Sequence, residues 1–420
     1  MAQTNWAGNL TYGAKTLLTP GSVEEAQEGV RAASKLRALG SRHCFNTIAD
    51  TPATQMSLGR LNNVVSLDKA KRQVTVEGGI RYGELGPILH AEGFALHNLA
   101  SLPHISIAGA CATATHGSGP KLGSLATAVR GIEFIDAKGD LVSLTRDKNP
   151  ETFPGAVVNL GALGVVTKLT LDVEPTFAVR QDIYRDLPMA AVEAHFDEIM
   201  AAGYSVSLFT AWQDDTIEQV WVKTRVAAGE KFDTPQSLFG AKSATKNMHP
   251  IAHLDAVNCT EQMGILGPSY DRLPHFKMGF TPASGEELQV EYFVPAGHAV
   301  AAAKAIHGLG RLLAPLLMIS EVRTIAADDL WMSPFYKQPC VAFHFSFKQD
   351  WPSVERFLPT LEQALAPYAP RPHWGKVFTM APKDVHARYP RLADFRDLLN
   401  AHDPRGKFRN AFIDKYVFGG

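Results

Sequence analysis

A chain of 420 residues is longer than one hydrophobic core usually serves, so its length points to two domains, each able to bury a full core. With 45% hydrophobic and 20% charged residues it reads as a soluble globular protein, and a formal charge of −1 without a Lys/Arg block argues against nucleic acid as the main partner. No apolar run approaches a membrane span and no secretory signal opens the chain. The four scattered cysteines (Cys44, Cys111, Cys259, Cys340) suit reduced thiols in the cytoplasm better than a disulfide framework or a zinc site.

The first element is a helical pattern over Val23 to Ser34, followed by a short apolar run, Leu36 to Leu39. A tight turn follows: Gly40-Ser41-Arg42-His43-Cys44-Phe45-Asn46. Gly40 lets the main chain approach a neighbour closely, and successive backbone N–H groups in such a turn can cradle a phosphate. The same residues also read as an ordinary strand-to-loop turn with a surface histidine. Val74 to Glu77 is a strand, broken at Gly78-Gly79, and Tyr82 to Glu92 is a helix stopped by Gly93. Two stretches rich in small residues and hydroxyls come next, Ala100 to Gly109 and Ala112 to Gly119. Long loops inside compact domains are usually functional, and these can offer many donors to a flat ligand. Gly131 to Asp136 and Leu141 to Leu144 form a hairpin turning at Lys138-Gly139, and Val165 to Val173 is a strand after Gly161-Ala162-Leu163-Gly164. Glu174-Pro175 is a plausible boundary.

Beyond it three strands alternate, over Glu287 to Val294, Met318 to Ile325 and Val341 to Lys348. Glu287, Gln289, Glu291 and Phe293 share one face of the first. Glu321 and Arg323 share a face of the second, and His344 and Ser346 a face of the third, because side chains two apart point the same way. Helical patterns over Ala296 to Leu313 and Trp351 to Ala366 can cover the apolar face. The polar face is either solvated or a surface for gripping hydroxyl groups. Arg371 to Thr379 leads back toward the first domain, and Asp403 to Asn410 reads as a turn before a C-terminal strand.

Rival chemistries lack their signatures. There is no Gly-x-Gly-x-x-Gly after a strand, no Walker loop, no Gly-x-Ser-x-Gly elbow and no His-Glu-x-x-His, and the histidines do not cluster at metal-ligand spacing. Taken together, four stretches resemble the FAD-binding set of the vanillyl-alcohol-oxidase flavoproteins. They are the Gly-Ser-x-His-x-Phe turn at 40–45, the Ser-x-Ala-Gly loop at 106–109, Ala112-Thr113-Ala114-Thr115-His116-Gly117-Ser118-Gly119 and Gly161-Ala162-Leu163-Gly164-Val165-Val166. Within that superfamily the chain resembles the alditol (xylitol/sorbitol) oxidases along nearly its whole length, from Thr4-Asn5-Trp6-Ala7-Gly8-Asn9 through Tyr204 to Phe209 and Asn258 to Gln262.

The resemblance implies an α+β, two-domain vanillyl-alcohol-oxidase fold. Residues 1–175 would bind FAD, 176–375 would form a substrate domain with an antiparallel sheet over the flavin, and 376–420 would return to the FAD-binding part. His43 falls where the family attaches FAD covalently, with Leu39, Gly40, Ser41, Arg42 and Cys44 around it. Some relatives have glycine and serine where Arg42 and Cys44 stand, and Arg42 would disfavour a charged His43. Ser101, Ser106, Gly109, Thr113, Ala114, Thr115, His116, Val165 and His373 fall at cofactor positions. Gln289, Glu321, Arg323, His344, Ser346 and Lys376 fall at substrate positions, with Ser101 near the substrate too. The implied reaction is oxidation of a terminal primary hydroxyl of a polyol, with oxygen reduced to hydrogen peroxide. Arg323, Lys376 and Glu321 are the catalytic candidates: the cations for developing alkoxide, the carboxylate for hydroxyls and for holding the arginine. A sugar-lactone oxidase or dehydrogenase, a flavin dehydrogenase with another acceptor, and a non-enzymatic binding module remain as alternatives. The expected partners are a polyol and oxygen, in a cytoplasmic monomer without a metal.

Overall fold

The computed structural model describes residues 3–227, 232, 234–280 and 286–419. Among these, the N-terminal part builds a parallel sheet of Thr16–Leu18, Leu36–Leu39 and Thr54–Ser57, with Thr54–Ser57 in the middle. The Val23–Ala32 helix feeds it. Ser22 caps that helix by accepting the Glu25 N–H through Oγ at 3.2 Å, and Ala26 and Val30, four apart, bury its inner face. Beside it lies a five-stranded antiparallel sheet ordered Val64–Asp68, Gln73–Glu77, Val165–Asp172, Val129–Ile135, Leu141–Thr145. Its hairpin turns where expected, with Gly139 at φ +85° donating to Asp136 O at 3.0 Å. Glu174–Pro175 pairs with Phe94–Ala95.

A ten-stranded antiparallel sheet draws on residues between Ala178 and Pro372. Toward one end of it lie Leu317–Ile325, Cys340–Lys348 and Glu287–Pro295, side by side in that order, with only the short edge strand Arg371–Pro372 beyond. The alternation read from sequence decides the two faces. Leu288, Val290, Phe343, Phe345 and Phe347 are fully buried under the helices Met189–Met200, Ala299–His307 and Trp351–Leu365. The last of these presents Val354, Phe357, Leu358, Leu361 and Leu365, one helical stripe. The other face is polar but is not solvated: Glu287, Gln289, Glu291, Glu321, Arg323, His344 and Ser346 are all buried.

Three expectations are corrected. The helix read over Ala296 to Leu313 breaks at Gly308-Leu309 into Ala299–His307 and Gly310–Leu313. The loop read over 100–119 contains a helix, Ile107–Ala112, because Ile107, Ala110 and Cys111 do find a core. The segment after Asp403 ends in helical turns, Ala411–Ile413 and Asp414–Phe418, not in a strand. Asn410 caps the first by accepting the Ile413 N–H at 3.0 Å.

The chain closes on itself through Arg37. Its buried guanidinium donates to the carbonyls of Leu160 (2.8 Å), Gly161 (2.8 Å), Phe408 (2.7 Å) and Ile48. Leu36 N–H donates to Lys407 O at 2.9 Å beside it. Four carbonyls from three segments thus meet one cation just below the 39–46 turn.

Candidate active site

A cleft of about 1490 Å³, its open mouth included, runs from that turn to the polar sheet face. Leu39, Gly40, Ser41, Arg42, His43, Cys44, Ser101, Gly109, Thr113, Thr115, His116 and His373 line it at one end. Gln289, Glu321, Arg323, His344, Ser346 and Lys376 line the other. Three expected residues stand off its wall. Ala114 turns away at φ +54°, fully buried. Val165 faces the second core under the parallel sheet with Ala26, Val30 and Ile135. Ser106 stands behind Gly40, its backbone N–H donating to Ser41 Oγ at 3.0 Å.

Close packing shapes the turn. A Cβ on Gly40 would sit 2.7 Å from Ser106 Oγ, too close unless that hydroxyl moves, and in ordinary contact with Gly109 Cα at 3.7 Å. Arg42 holds φ +66° and is exposed, its Nη1 donating outward to Thr4 O at 3.4 Å. Trp6 donates from its N–H to Arg42 O at 2.8 Å and stacks on the His43 ring, centroids 5.3 Å apart at 18°. Both His43 ring nitrogens are buried without a partner among the described residues. Burial, then His104, Lys376 and Arg81, push its pKa down to about 3, so the imidazole is neutral. The neutrality expected from Arg42 therefore comes from other neighbours. Cys44 is half-buried in the same turn, and its thiol is pushed up to about 11, chiefly by desolvation.

The turn and the sheet are tied together by residues 371–377. His373 N–H donates to Glu291 O (2.9 Å) and Val377 N–H to Gln289 O (3.0 Å), extending the sheet edge. On its other side this segment holds the turn: Phe45 N–H donates to Gly375 O (2.8 Å), and Asn46 Nδ2 to Trp374 O (2.8 Å) and Lys376 O (2.7 Å). Lys376 thus arrives over the Phe45 ring at 5.2 Å and donates to Gln289 Oε1.

Strand register sets the rest. His344 stands opposite Glu291 on one neighbour and Glu321 on the other, and Gln289 stands opposite Ser346. Arg323 donates to Glu291 Oε1 at 2.7 Å and to Ser101 Oγ at 3.3 Å, and lies 3.6 Å from Glu321 Oε2. Burial would raise both carboxyls, but Arg323 heads the opposing charges that hold them well below the ordinary range. Burial lowers His344 to about 3 and also lowers Lys376. Two residues of this network were not assigned to the site in the sequence: Glu291, which the alternation put on the Gln289 face, and His275, which donates to Glu321 from a loop without any sequence signal.

Comparison with known proteins decides the family. Residues 14–145 match a family model described as FAD binding domain, and residues 287–416 one described as D-arabinono-1,4-lactone oxidase. An alditol oxidase of Streptomyces sp. is 47% identical over 100% of this chain and 99% of its own length. The chain belongs to the alditol oxidase family. It is an FAD-dependent oxidoreductase with the α+β vanillyl-alcohol-oxidase fold. More distant is an L-gulonolactone oxidase of Mus musculus, 24% identical over 99% of this chain and 98% of its own length. A solved structure titled solvent-stable cholesterol oxidase superposes with a TM-score of 0.81 at 16% identity, covering 99% of this chain and 97% of that one. The FAD end of this alditol oxidase family member fits the cofactor on its own geometry: a glycine-lined approach at Gly40 and Gly109, and orphaned buried ring nitrogens at His43.

Proposed function

We propose that this enzyme oxidises a terminal primary hydroxyl of xylitol or sorbitol to the aldose, with oxygen reduced to hydrogen peroxide. Bound FAD supplies the two-electron acceptor. The Leu39–Cys44 turn, Gly109, Thr113, Thr115, His116 and His373 would hold it, with His43 as the covalent attachment. A neutral imidazole with a free lone pair is the form such an attachment needs, and burial keeps His43 in it.

The observation that carries the substrate reading is the burial of the polar sheet face within the same cleft as His43. An uncharged polyol must be recognised by hydrogen bonds. Gln289, Glu321, Arg323, His344, Ser346, Lys376 and Ser101 supply both donors and acceptors for that task. Arg323 and Lys376 favour the hydroxyl's deprotonated form and so ease departure of its proton. Glu321 accepts from substrate hydroxyls and orients Arg323. We assign residues 1–175 and 376–420 to the cofactor and 176–375 to the substrate, in a cytoplasmic monomer.

A sugar-lactone substrate is the second reading, favoured by the lactone-oxidase family match over 287–416. Steady-state constants with xylitol, sorbitol and an aldonolactone separate the two, and peroxide yield tests oxygen as acceptor. Preference for the lactone would overturn the alditol reading. On a denaturing gel the wild-type band should fluoresce and His43→Ala should not; flavin washing out of the wild type would refute the covalent link.

A further inference from the structure

Farther along the same sheet face lies a fully buried lysine, Lys223, on the Thr216–Val226 strand. Its Nζ meets three acceptors: the carbonyl of Leu273, the carbonyl of Pro274 at 3.1 Å and Nδ1 of His275 at 2.9 Å. An ammonium has three N–H groups and no lone pair, so these three use all of it. Burial, opposed by Glu321, brings the lysine down to about 7, so it is charged in acid and loses its proton above neutrality. On the other side of the imidazole, Nε2 lies 2.8 Å from Glu321 Oε1. An ionised carboxylate can only accept, so Nε2 carries the proton, and a neutral ring then has Nδ1 as acceptor. Phe209 and Trp221 hold the ring edge-on, with centroids 5.5 and 5.2 Å away. Burial, with Lys223 next, lowers His275 to about 4, which agrees with the neutral ring.

We propose that Lys223 is a positioning residue for substrate capture: through His275 it keeps a neutral N–H on Glu321 Oε1 and leaves Oε2 toward Arg323 and the cleft. This rests on the reading that Glu321 grips polyol hydroxyls. The charged or titratable groups facing the pair are Cys259 from its loop and Glu321 and Arg323 from their strand. Glu321 draws the ring proton to Nε2, and the ammonium fills the lone pair left on Nδ1. Without the lysine, Nδ1 is a buried acceptor with no donor, which disfavours this ring placement, and Glu321 alone has to hold the ring. The wild type's KM should therefore rise as pH passes through about 7 and the lysine loses its proton, while the variant's, already high, stays flat.

The test uses Lys223→Met, His275→Gln, the double variant and Glu321→Gln, all with flavin content verified, and measures kcat and KM for xylitol from pH 5 to 9. Losing a hydrogen bond to a charged group should raise KM of Lys223→Met about tenfold at pH 5, with kcat within about threefold and the excess narrowing as pH rises past 7. His275→Gln, a donor that needs no particular tautomer, should keep KM within about threefold of the wild type's pH 5 value at every pH, and the double variant should follow it. A Lys223→Met profile parallel to wild type would overturn the inference, as would a double variant no better than Lys223→Met. Should Lys223→Met fail to accumulate, His275→Leu replaces it: KM rising about tenfold in Leu but not in Gln supports the inference, and equal values overturn it. An unchanged KM in Glu321→Gln overturns the site assignment itself, and the inference with it.

Discussion

Arg323 is the residue whose removal should cost most. It separates two buried carboxylates, with only 8% of its own side chain exposed against 1% for Glu291 and 6% for Glu321. Arg323→Leu keeps the bulk and removes the charge, leaving Glu291 with His116 at 3.2 Å and Glu321 with His275. Breaking a buried pair from one side costs about 3–5 kcal/mol. Unfolding entropy near 2.1 cal/mol/K per residue, over a chain of 420 residues, makes that a fall in Tm of roughly 5 °C. The sign with pH follows from the carboxyls. In the native protein both are held below the ordinary range, so the stability Arg323 provides is fully present above the unfolded carboxyl pKa and is lost only in strong acid. In the variant, burial is no longer opposed by Arg323, the carboxyls rise, and they take up protons as pH falls from 8 to 5. The deficit should therefore shrink in acid. Thermal unfolding followed by flavin fluorescence at pH 8, 6.5 and 5, at one scan rate, reads it. Arg323→Leu/Glu291→Gln, with one charge fewer to bury, should recover about half of the loss. An unchanged Tm at pH 8, or a deficit that widens in acid, would refute the reasoning.

Other outcomes follow from the same geometry. Lys376→Met should lower kcat and kcat/KM together by about a hundredfold, while Gln289→Ala should mainly raise KM; because the two side chains touch, steady-state constants of the double variant should be less than additive. Gly40→Ala pushes a methyl against Ser106 Oγ, so the purified variant should carry less flavin per chain by absorbance, and equal loading would count against the glycine approach. Asp328, half-buried and accepting the Ser333 hydroxyl at 2.6 Å, is raised to about 7 chiefly by desolvation. Its proton stabilises the fold in acid, and that stability is lost as pH rises from about 4 through 7, a span worth roughly 4 kcal/mol. Asp328→Asn should therefore raise Tm at pH 8 and leave it nearly unchanged at pH 4, which a pH series of unfolding curves checks.

What the sequence could show depended on periodicity. Alternation put Gln289 and Glu291, Glu321 and Arg323, and His344 and Ser346 on common faces, since a strand repeats every two residues whatever surrounds it. It could not say whether that face was wet. Burial came from the chain returning at 371–377 and from the loop carrying His275, contacts with no local signal. The helix over Ala296 to Leu313 failed because apolar spacing continues across a break at Gly308. The C-terminal strand failed because Asn410, a cap, was read as part of a turn. Val165 belongs to a run resembling a cofactor motif, yet its side chain serves the core beneath.

The meeting of carbonyls at Arg37 also orders events in time. Its contact with Phe408 spans 371 residues, and at ribosomal rates of about 5–20 residues per second that separation is roughly 20–70 s of synthesis. Through that interval the guanidinium lacks one of its acceptors and the floor below the 39–46 turn is unfinished. The strands from Glu287 to Lys348 have by then all left the ribosome. The dinucleotide end of the cleft is thus sealed after the sugar end has had time to form, and cofactor capture becomes a post-translational event that waits on the last tenth of the chain.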